Sequence, residues 1–221
     1  GGCRVSQAIL QAEGYPLFFM PSAHAATSEQ IRASDFRALM NRLAGSFDYI
    51  LIDCPAGIEG GFHRAVSACE YAVVVTTPHI SAVRDADKVL TLLSGYSLAG
   101  ISIVVNRVRG DLLAQGEILS PADISRLLRY PVLGVVPEDD EIALCSQLGR
   151  AGAAQGGGSE AIAMIAGNIL TGERRIFDPA SRYRGVFGAI RSRLKRRPPC
   201  PKALPWRSKA TSSAPCRNIC V

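Results

Sequence analysis

The feature that most constrains the fold of this sequence is a series of short, largely apolar runs, most of them followed closely by an aspartate, an asparagine or a proline. The runs occupy residues 17–20, 49–52, 72–76, 101–105 and 132–136. Within each run the residues are apolar almost without interruption, rather than alternating apolar with polar. This pattern predicts strands that are buried on both faces of a sheet.

Helical patterns separate these runs, at residues 28–44, 81–93, 120–128 and 159–170. Ser120 followed by Pro121 is typical of a helix N-terminus. Strands that alternate with helices predict an α/β fold, with a mostly parallel sheet flanked by helices. Ligands of such sheets bind beyond the carboxyl ends of the strands, so we expect a site at that edge.

The charge is divided unevenly along the chain. The net charge is +6, but residues 1–173 hold 12 basic and 18 acidic residues, whereas residues 174–221 hold 13 basic and 1 acidic residue. Residues 198–221 are rich in Pro, Ser, Cys, Lys and Arg and have no periodicity, which predicts a disordered basic tail. We therefore expect a body at 1–173, a basic linker with a helix at 174–197, and a tail at 198–221.

The composition also excludes several classes of site. No stretch approaches the roughly 18 apolar residues of a membrane-spanning helix. The seven cysteines include no CxxC pair and the three histidines show no metal-ligand spacing, so no zinc site is expected.

The strongest single motif is FDYILIDCPAG at residues 47–57. An apolar strand that ends in an aspartate, here Asp53, is the Walker B pattern, whose carboxylate orients a Mg²⁺-bound water beside a phosphate. The turn at Pro55, Ala56 and Gly57 would present the Gly57 N–H to a γ-phosphate. From the strand alone, an aspartate that merely ends a strand or caps a helix is the more common case.

Four ordered blocks resemble the MinD septum-site-determining ATPases, within the MinD/ParA group of deviant-Walker P-loop ATPases. The blocks are DYILIDCPAGIEGGFHRAV, VVVTTPHISAVRDADKVL, IVVNRVR and GVVPEDDEI, and the resemblance spans roughly residues 15–197. It implies a P-loop NTPase-like fold, ATP and Mg²⁺ as cofactors, and a homodimer bound peripherally to the inner face of the cell membrane from the cytoplasm. Its partners would be division-inhibitor and topological-specificity regulators.

The resemblance also implies roles for the matching residues. Asp53 would be the catalytic carboxylate and would hold Mg²⁺ through water, while Asn106 would hydrogen-bond adenine. The residues expected at the nucleotide are Pro55, Ala56, Gly57, Asn106, Arg107, Pro137, Glu138 and Asp139. The helix that carries Arg84, Asp85 and Asp87 would meet the regulators, although a solvated charged face explains the same charges.

One part of the family pattern is missing from the sequence. No segment matches KGGxGK[ST] or the general G-x-x-x-x-G-K-[ST], and the glycines at 156–158 have no lysine and follow no strand. Without that loop the phosphates lose a backbone N–H cradle, a lysine charge and a hydroxyl ligand of Mg²⁺. We interpret the chain as an N-terminally truncated homologue that does not hydrolyse ATP by itself.

Residues 183–197, YRGVFGAIRSRLKRR, form an apolar stripe edged by cations at helical spacing. This pattern is typical of an amphipathic helix lying in the surface of an anionic bilayer. The residues expected to contact the membrane are Tyr183, Val186, Phe187, Ile190, Arg191, Leu194 and Lys195. A helix packed on the body and a basic nucleic-acid-binding segment are the alternatives, and the scarcity of aromatic residues disfavours nucleic acid.

The sequence therefore predicts an ATP-dependent, membrane-associated switch in septum placement. Two alternatives stay open: a related ATPase of chromosome partitioning or flagellar number, and a non-catalytic membrane adaptor that keeps the partner helix and the membrane helix.

Overall fold

The computed structural model describes residues 5–21, 31–54, 57–149 and 156–184, together with the backbone of residues 218–220. The main sheet contains the strands β3 (Ile52–Asp53), β4 (Tyr71–Thr76), β5 (Gly100–Val108), β6 (Val132–Pro137) and β7 (Asn218–Cys220). Their order in the sheet is β3-β7-β4-β5-β6. Strands β4, β5 and β6 are parallel, which confirms the predicted α/β fold with a mostly parallel sheet.

Strand β7 lies between β3 and β4 and runs antiparallel to both. We expected the whole of residues 198–221 to lack regular structure, and this prediction does not hold for the three residues of β7. The rest of that tail lies outside the described residues.

Eight α-helices are present in the described ranges. They are α1 (Val5–Ala8), α2 (Ala33–Leu43), α3 (Gly60–Ser67), α4 (Ile80–Leu93), α5 (Gly110–Gln115), α6 (Pro121–Leu128), α7 (Asp140–Gln147) and α8 (Gly157–Thr171). The predicted start of α6 is confirmed, because Ser120 Oγ accepts the backbone N–H of Asp123 at 3.1 Å. Helices α3, α5 and α7 were not among the segments that periodicity identified.

The core occupies both faces of the three parallel strands. Ala72 and Val74 of β4 pack with α3, α4 and α6 on one face, while Val73 packs with α8 on the other. Successive side chains of a strand point to opposite faces, so this alternation shows that β4 is covered on both sides. Ile103 and Val105 of β5 are fully buried, as the continuous apolar runs predicted.

The other apolar runs have a different environment. Residues 17–20 contribute only β2 (Phe18–Phe19), which pairs with β1 (Leu10–Gln11) in a separate two-stranded sheet. Tyr49 and Leu51 are 50% and 64% exposed. The prediction that these two runs form buried strands is therefore wrong. Phe18 and Phe19 of β2 are exposed, and in the described part of the chain no strand pairs with residues 49–51.

Candidate functional site

The Walker B candidate Asp53 lies at the carboxyl end of β3. Its side chain is exposed, and the next residue, Cys54, is buried in the core. Pro55 and Ala56, the first two residues of the turn expected to present the Gly57 N–H to a γ-phosphate, lie outside the described residues. Gly57 has φ +96° and open space where a Cβ would stand, so its left-handed backbone favours glycine and its surroundings leave room for a ligand.

The adenine candidate Asn106 lies where β5 departs from regular pairing with β6. The register shifts between Val105 and Val108, and Arg107 between them has φ +57°, a left-handed value that is uncommon for a residue with a Cβ. Asn106 Oδ1 accepts the backbone N–H of Arg107 at 2.9 Å. This bond orients the side-chain amide, and Asn106 Nδ2 has no hydrogen-bond acceptor among the residues that the structure describes.

The amide geometry suits a purine base. An asparagine amide can donate from Nδ2 to adenine N7 and accept at Oδ1 from adenine N6. Because the Arg107 N–H uses one of the two lone pairs of Oδ1, the second lone pair stays available for such a contact.

The ends of β5 and β6 are tied together beside Asn106. The backbone N–H of Glu138 donates to the Val108 carbonyl oxygen at 3.0 Å. The Glu138 carboxylate also accepts a hydrogen bond from Arg107 Nη2 at 3.1 Å, in an ion pair whose arginine is 69% exposed. Pro137 is the last residue of β6. The structure thus brings Asn106, Arg107, Pro137 and Glu138 together at the carboxyl ends of β5 and β6, and their contact with a nucleotide stays a prediction.

A partly buried ion pair just after β5 was missed by the sequence analysis, with the Arg109 side chain 39% and the Asp111 side chain 9% exposed. Arg109 Nε donates to Asp111 Oδ1 at 3.1 Å, and Arg109 Nη2 donates to Asp111 Oδ2. The bond from Arg109 holds the pKa of Asp111 below its ordinary value, and the same bond raises the pKa of Arg109. Asp111 in the first turn of α5 was the available signal, since acidic residues there complement the helix dipole.

The regulator candidates lie on α4, whose opposite face packs Val83, Ala86 and Val89 into the core. Arg84 and Asp87 are exposed, and Asp85 pairs with Lys88 at 3.1 Å. The helix therefore presents a mixed-charge surface. Its use by a partner stays a prediction, because a solvated helix face has the same arrangement.

The membrane candidates lie mostly beyond the described chain. Val186, Phe187, Ile190, Arg191, Leu194 and Lys195 fall outside the described residues. Tyr183 ends a 3₁₀ helix, Ser181–Tyr183, and packs so close to Gly110 that a Cβ there would lie 2.9 Å from Tyr183 Cε2. Arg184 is then extended, so Tyr183 is separated from the rest of the predicted stripe by a break in helical geometry.

The residues present fit the two halves of an adenine nucleotide unequally. Asn106, whose Nδ2 has no acceptor in the described ranges, has the donor and acceptor that an adenine base requires. At the phosphate half, the structure offers the single carboxylate of Asp53, and within the described ranges His, Cys, Asp and Glu side chains do not form a group of three or more that could hold a metal ion. The sequence also holds no P-loop. Nucleotide binding by these residues stays a prediction.

No described helix combines the length and apolar character that crossing a bilayer requires.

Comparison with known proteins gives a consistent family. The putative septum site-determining protein MinD of Guillardia theta is 39% identical over 151 residues, which are 68% of this chain and 56% of that protein. The septum site-determining protein MinD of Synechocystis sp. is 39% identical over 149 residues, 67% of this chain and 56% of that protein. The chain thus spans about half the length of the curated relatives it matches. No family model matches it.

Solved structures agree with these relatives. The MinC:MinD cell division protein complex of Aquifex aeolicus matches with a TM-score of 0.69 and 29% identity, over 76% of this chain and 68% of that one. MinD of Pyrococcus horikoshii, complexed with Mg-ADP, matches with a TM-score of 0.64 and 25% identity, over 76% of this chain and 70% of that one. The order of the four sequence blocks, the parallel sheet and these likenesses together show that the chain belongs to the MinD family of septum-site-determining proteins.

Proposed function

We propose that this protein is a MinD-type component of septum-site placement, which binds the base of an adenine nucleotide at the carboxyl ends of β5 and β6 and associates with the cell membrane. The observation that carries the proposal is the Asn106–Arg107–Glu138 cluster, at the sheet edge where α/β folds bind ligands. The Mg-ADP complex of the Pyrococcus horikoshii relative supports an adenine nucleotide as the ligand.

The proposal separates binding from hydrolysis. Bound Mg²⁺ would supply charge neutralisation at the phosphates, but the chain offers neither the P-loop lysine nor the P-loop hydroxyl for that half of the site. We therefore expect base-dependent binding without ATP hydrolysis from this chain alone.

Membrane association would come from the segment after Arg184. Its apolar side chains, Val186, Phe187, Ile190 and Leu194, are edged by arginines and lysines, which favours an anionic bilayer surface. The stripe is short, so one copy should bind weakly, and a dimer would gain affinity by presenting two. The homodimer is part of the proposal for the same reason.

A division inhibitor is the proposed partner, because a solved relative is a MinC:MinD complex. The exposed charges of α4 at Arg84, Asp85 and Asp87 are the proposed contact surface. Regulators that confer topological specificity belong to the same proposal by resemblance of the sequence blocks.

The base site is tested by replacing the amide. A bidentate contact between an asparagine and adenine contributes about 1–3 kcal/mol, so Asn106→Ala should weaken ADP binding about 5- to 150-fold in calorimetric titration. Asn41→Ala, which removes an exposed amide on α2, is the matched control and should bind like the parent. A parent chain that does not bind ADP, or an Asn106→Ala variant with parental affinity, would contradict the base site.

The membrane segment is tested by a pair of variants with the same charge change. Phe187→Glu places a carboxylate in the apolar stripe, whereas Ser192→Glu places one about 140° around the helix. We expect Phe187→Glu to abolish co-sedimentation with vesicles that contain anionic phospholipid and Ser192→Glu to reduce it only moderately. Equal loss in both variants would indicate simple charge repulsion and would count against an inserted stripe.

The second candidate is a non-enzymatic membrane adaptor that keeps the charged face of α4 and the apolar stripe after Arg184. An adaptor would bind vesicles and the partner without responding to ADP or ATP. A partitioning ATPase would instead bind duplex DNA with a steep dependence on salt and would ignore vesicles.

A further inference from the structure

One carboxylate, that of Asp139, caps two helices at once. Its Oδ1 accepts the backbone N–H of Glu141 at 3.0 Å, in the first turn of α7. Its Oδ2 accepts the backbone N–H of Gly158, also at 3.0 Å, in the first turn of α8. The first N–H groups of a helix have no acceptor within the helix, so Asp139 satisfies one such donor in each of two helices that start 17 residues apart.

Helix α8 depends on this distant cap because it has none of its own. Gly156, the residue before α8, makes no side-chain cap bond and has φ +136°, a value that favours glycine. The negative charge of Asp139 also complements the positive ends of both helix dipoles.

Glycine residues make the close approach possible. A Cβ on Gly158 would stand 2.3 Å from Ile142 Cδ1 and 2.9 Å from Asp139 Oδ2. A Cβ on Gly157 would stand 3.1 Å from Phe177 Cζ and 3.8 Å from Pro137 Cγ. The start of α8 therefore packs directly on α7 and on the end of β6.

The same short segment is fixed on its other side. Glu138, next to Asp139, holds β5 through its backbone N–H to the Val108 carbonyl and through its ion pair with Arg107. Residues 137–139 thus connect β5 on one side with α7 and α8 on the other. If α8 moved away from Asp139, residues 137–139 would shift with it and would change the position of Glu138 and Arg107 beside Asn106.

We infer that Asp139 is a positioning residue for the base site, which acts by holding α7 and α8 against the end of β6 rather than by contacting the nucleotide. This inference rests on the proposed base site, and it gives Asp139 a different role from the one that the sequence blocks imply. The Asp139 carboxylate would thus contact the backbone N–H groups of Glu141 and Gly158 instead of the nucleotide.

The first test measures, without any nucleotide, whether Asp139 protects the backbone amides of both helices. Asp139→Asn keeps one acceptor oxygen but turns an NH₂ group toward one of the two N–H donors. In the full chain, we expect hydrogen exchange of the Glu141 or Gly158 amide to become at least about tenfold faster. Asp140→Asn, which removes the same charge one residue later and has no side-chain hydrogen bond in the described structure, should leave both amides protected. Unchanged protection in Asp139→Asn would overturn the shared cap.

The second test measures whether Asp139 affects the preference of the site for adenine over guanine. Asp139→Asn should lower the ratio of ADP affinity to GDP affinity about 3- to 10-fold, whereas a purely structural residue would leave that ratio unchanged. Gly158→Ala separates the start of α8 from α7 and Asp139 without changing charge. The double variant, Asp139→Asn with Gly158→Ala, should therefore lose little more base preference than the worse single variant. Additive losses, or an unchanged ratio in a variant with faster amide exchange, would overturn the positioning role.

The two readouts separate this inference from the proposed function. If the parent chain does not distinguish ADP from GDP, both the base site and the positioning role fail, while amide exchange still decides whether Asp139 caps both helices. Far-UV circular dichroism of each variant confirms that the fold is retained before either readout is compared.

Discussion

Strands β4 to β6 and the segment before β3 have the same kind of sequence and opposite environments. Ile103 in β5 is completely buried, whereas Leu51 in a similar apolar run is 64% exposed. The difference comes from neighbours: β5 has a parallel strand on each side, and residues 49–51 have no paired strand in the described part of the chain. An apolar run therefore specifies the capacity to be buried, and the surrounding chain decides whether burial occurs.

The difference in burial between the two regions is tested most directly by truncating one apolar side chain in each. Ile103→Ala should lower the free energy of unfolding by about 2–5 kcal/mol, because it deletes buried methylenes and leaves a cavity. Leu51→Ala should change it by less than about 0.5 kcal/mol, since an exposed side chain loses little on truncation. Urea unfolding followed by circular dichroism measures both. Similar losses in the two variants would mean that Leu51 is covered in solution.

The sequence predicted the well-covered region better than the exposed one. Strands β4, β5 and β6 and helix α4 begin and end within a few residues of their predicted limits, because their apolar pattern and their burial agree. The runs at 17–20 and 49–52 were predicted wrongly, since local pattern contains no information about which strands lie alongside. Helices α3, α5 and α7 have only six to eight residues and gave too little periodicity.

The candidate site was predictable where it depends on strand ends and unpredictable where it depends on tertiary contacts. Asn106 and Glu138 follow from the rule that ligands bind at the carboxyl edge of a parallel sheet. Tertiary packing sets the left-handed backbone of Arg107, the cap from Asp139 to Gly158 and the partly buried Arg109–Asp111 pair. No pattern along the chain specifies those distances.

Charge pairs give a second contrast between buried and exposed regions. Asp111→Asn should lower the free energy of unfolding at pH 7 by about 1.5–3 kcal/mol, because Arg109 loses a charged hydrogen-bond partner. Since the pKa of Asp111 is lowered in the folded state, its stabilising effect is complete above its unfolded pKa of about 3.9 and is lost as the pH falls through the folded pKa.

Urea unfolding at several pH values measures this dependence. The gap between the parent and Asp111→Asn should be constant from pH 7 to about 5 and should shrink below about 4. Asp48→Asn, at an exposed aspartate, should show no such gap. A gap that grows as the pH is lowered would contradict the depressed pKa.

Two glycines test whether the α8 face is as tightly packed as the face that holds α4. Gly134 in β6 lies under α8, and a Cβ there would stand 2.1 Å from Ile165 Cγ1, so Gly134→Ala should destabilise the fold by about 1–3 kcal/mol. Gly167 within α8 has open space at its Cβ position, so Gly167→Ala should stabilise it by up to about 1 kcal/mol. Thermal unfolding should therefore shift in opposite directions, and a shared direction would contradict the packing of α8 on β6.

The smallest effect is expected at the exposed ion pair of α4, which is the counterpart of Arg109–Asp111. Lys88 Nζ lies 3.1 Å from Asp85 Oδ1, but both side chains are largely in solvent, at 73% and 45% exposure. Water screens such a pair, so Lys88→Ala should change the free energy of unfolding by no more than about 0.5 kcal/mol, and the change should disappear in 1 M salt. Asp111→Asn, measured in the same salt, should keep most of its loss, because the Asp111 carboxylate is buried. If the Lys88 variant lost as much stability as the Asp111 variant, burial would not be what distinguishes the two pairs, and α4 would owe its stability to surface charge rather than to Val83, Ala86 and Val89 beneath it.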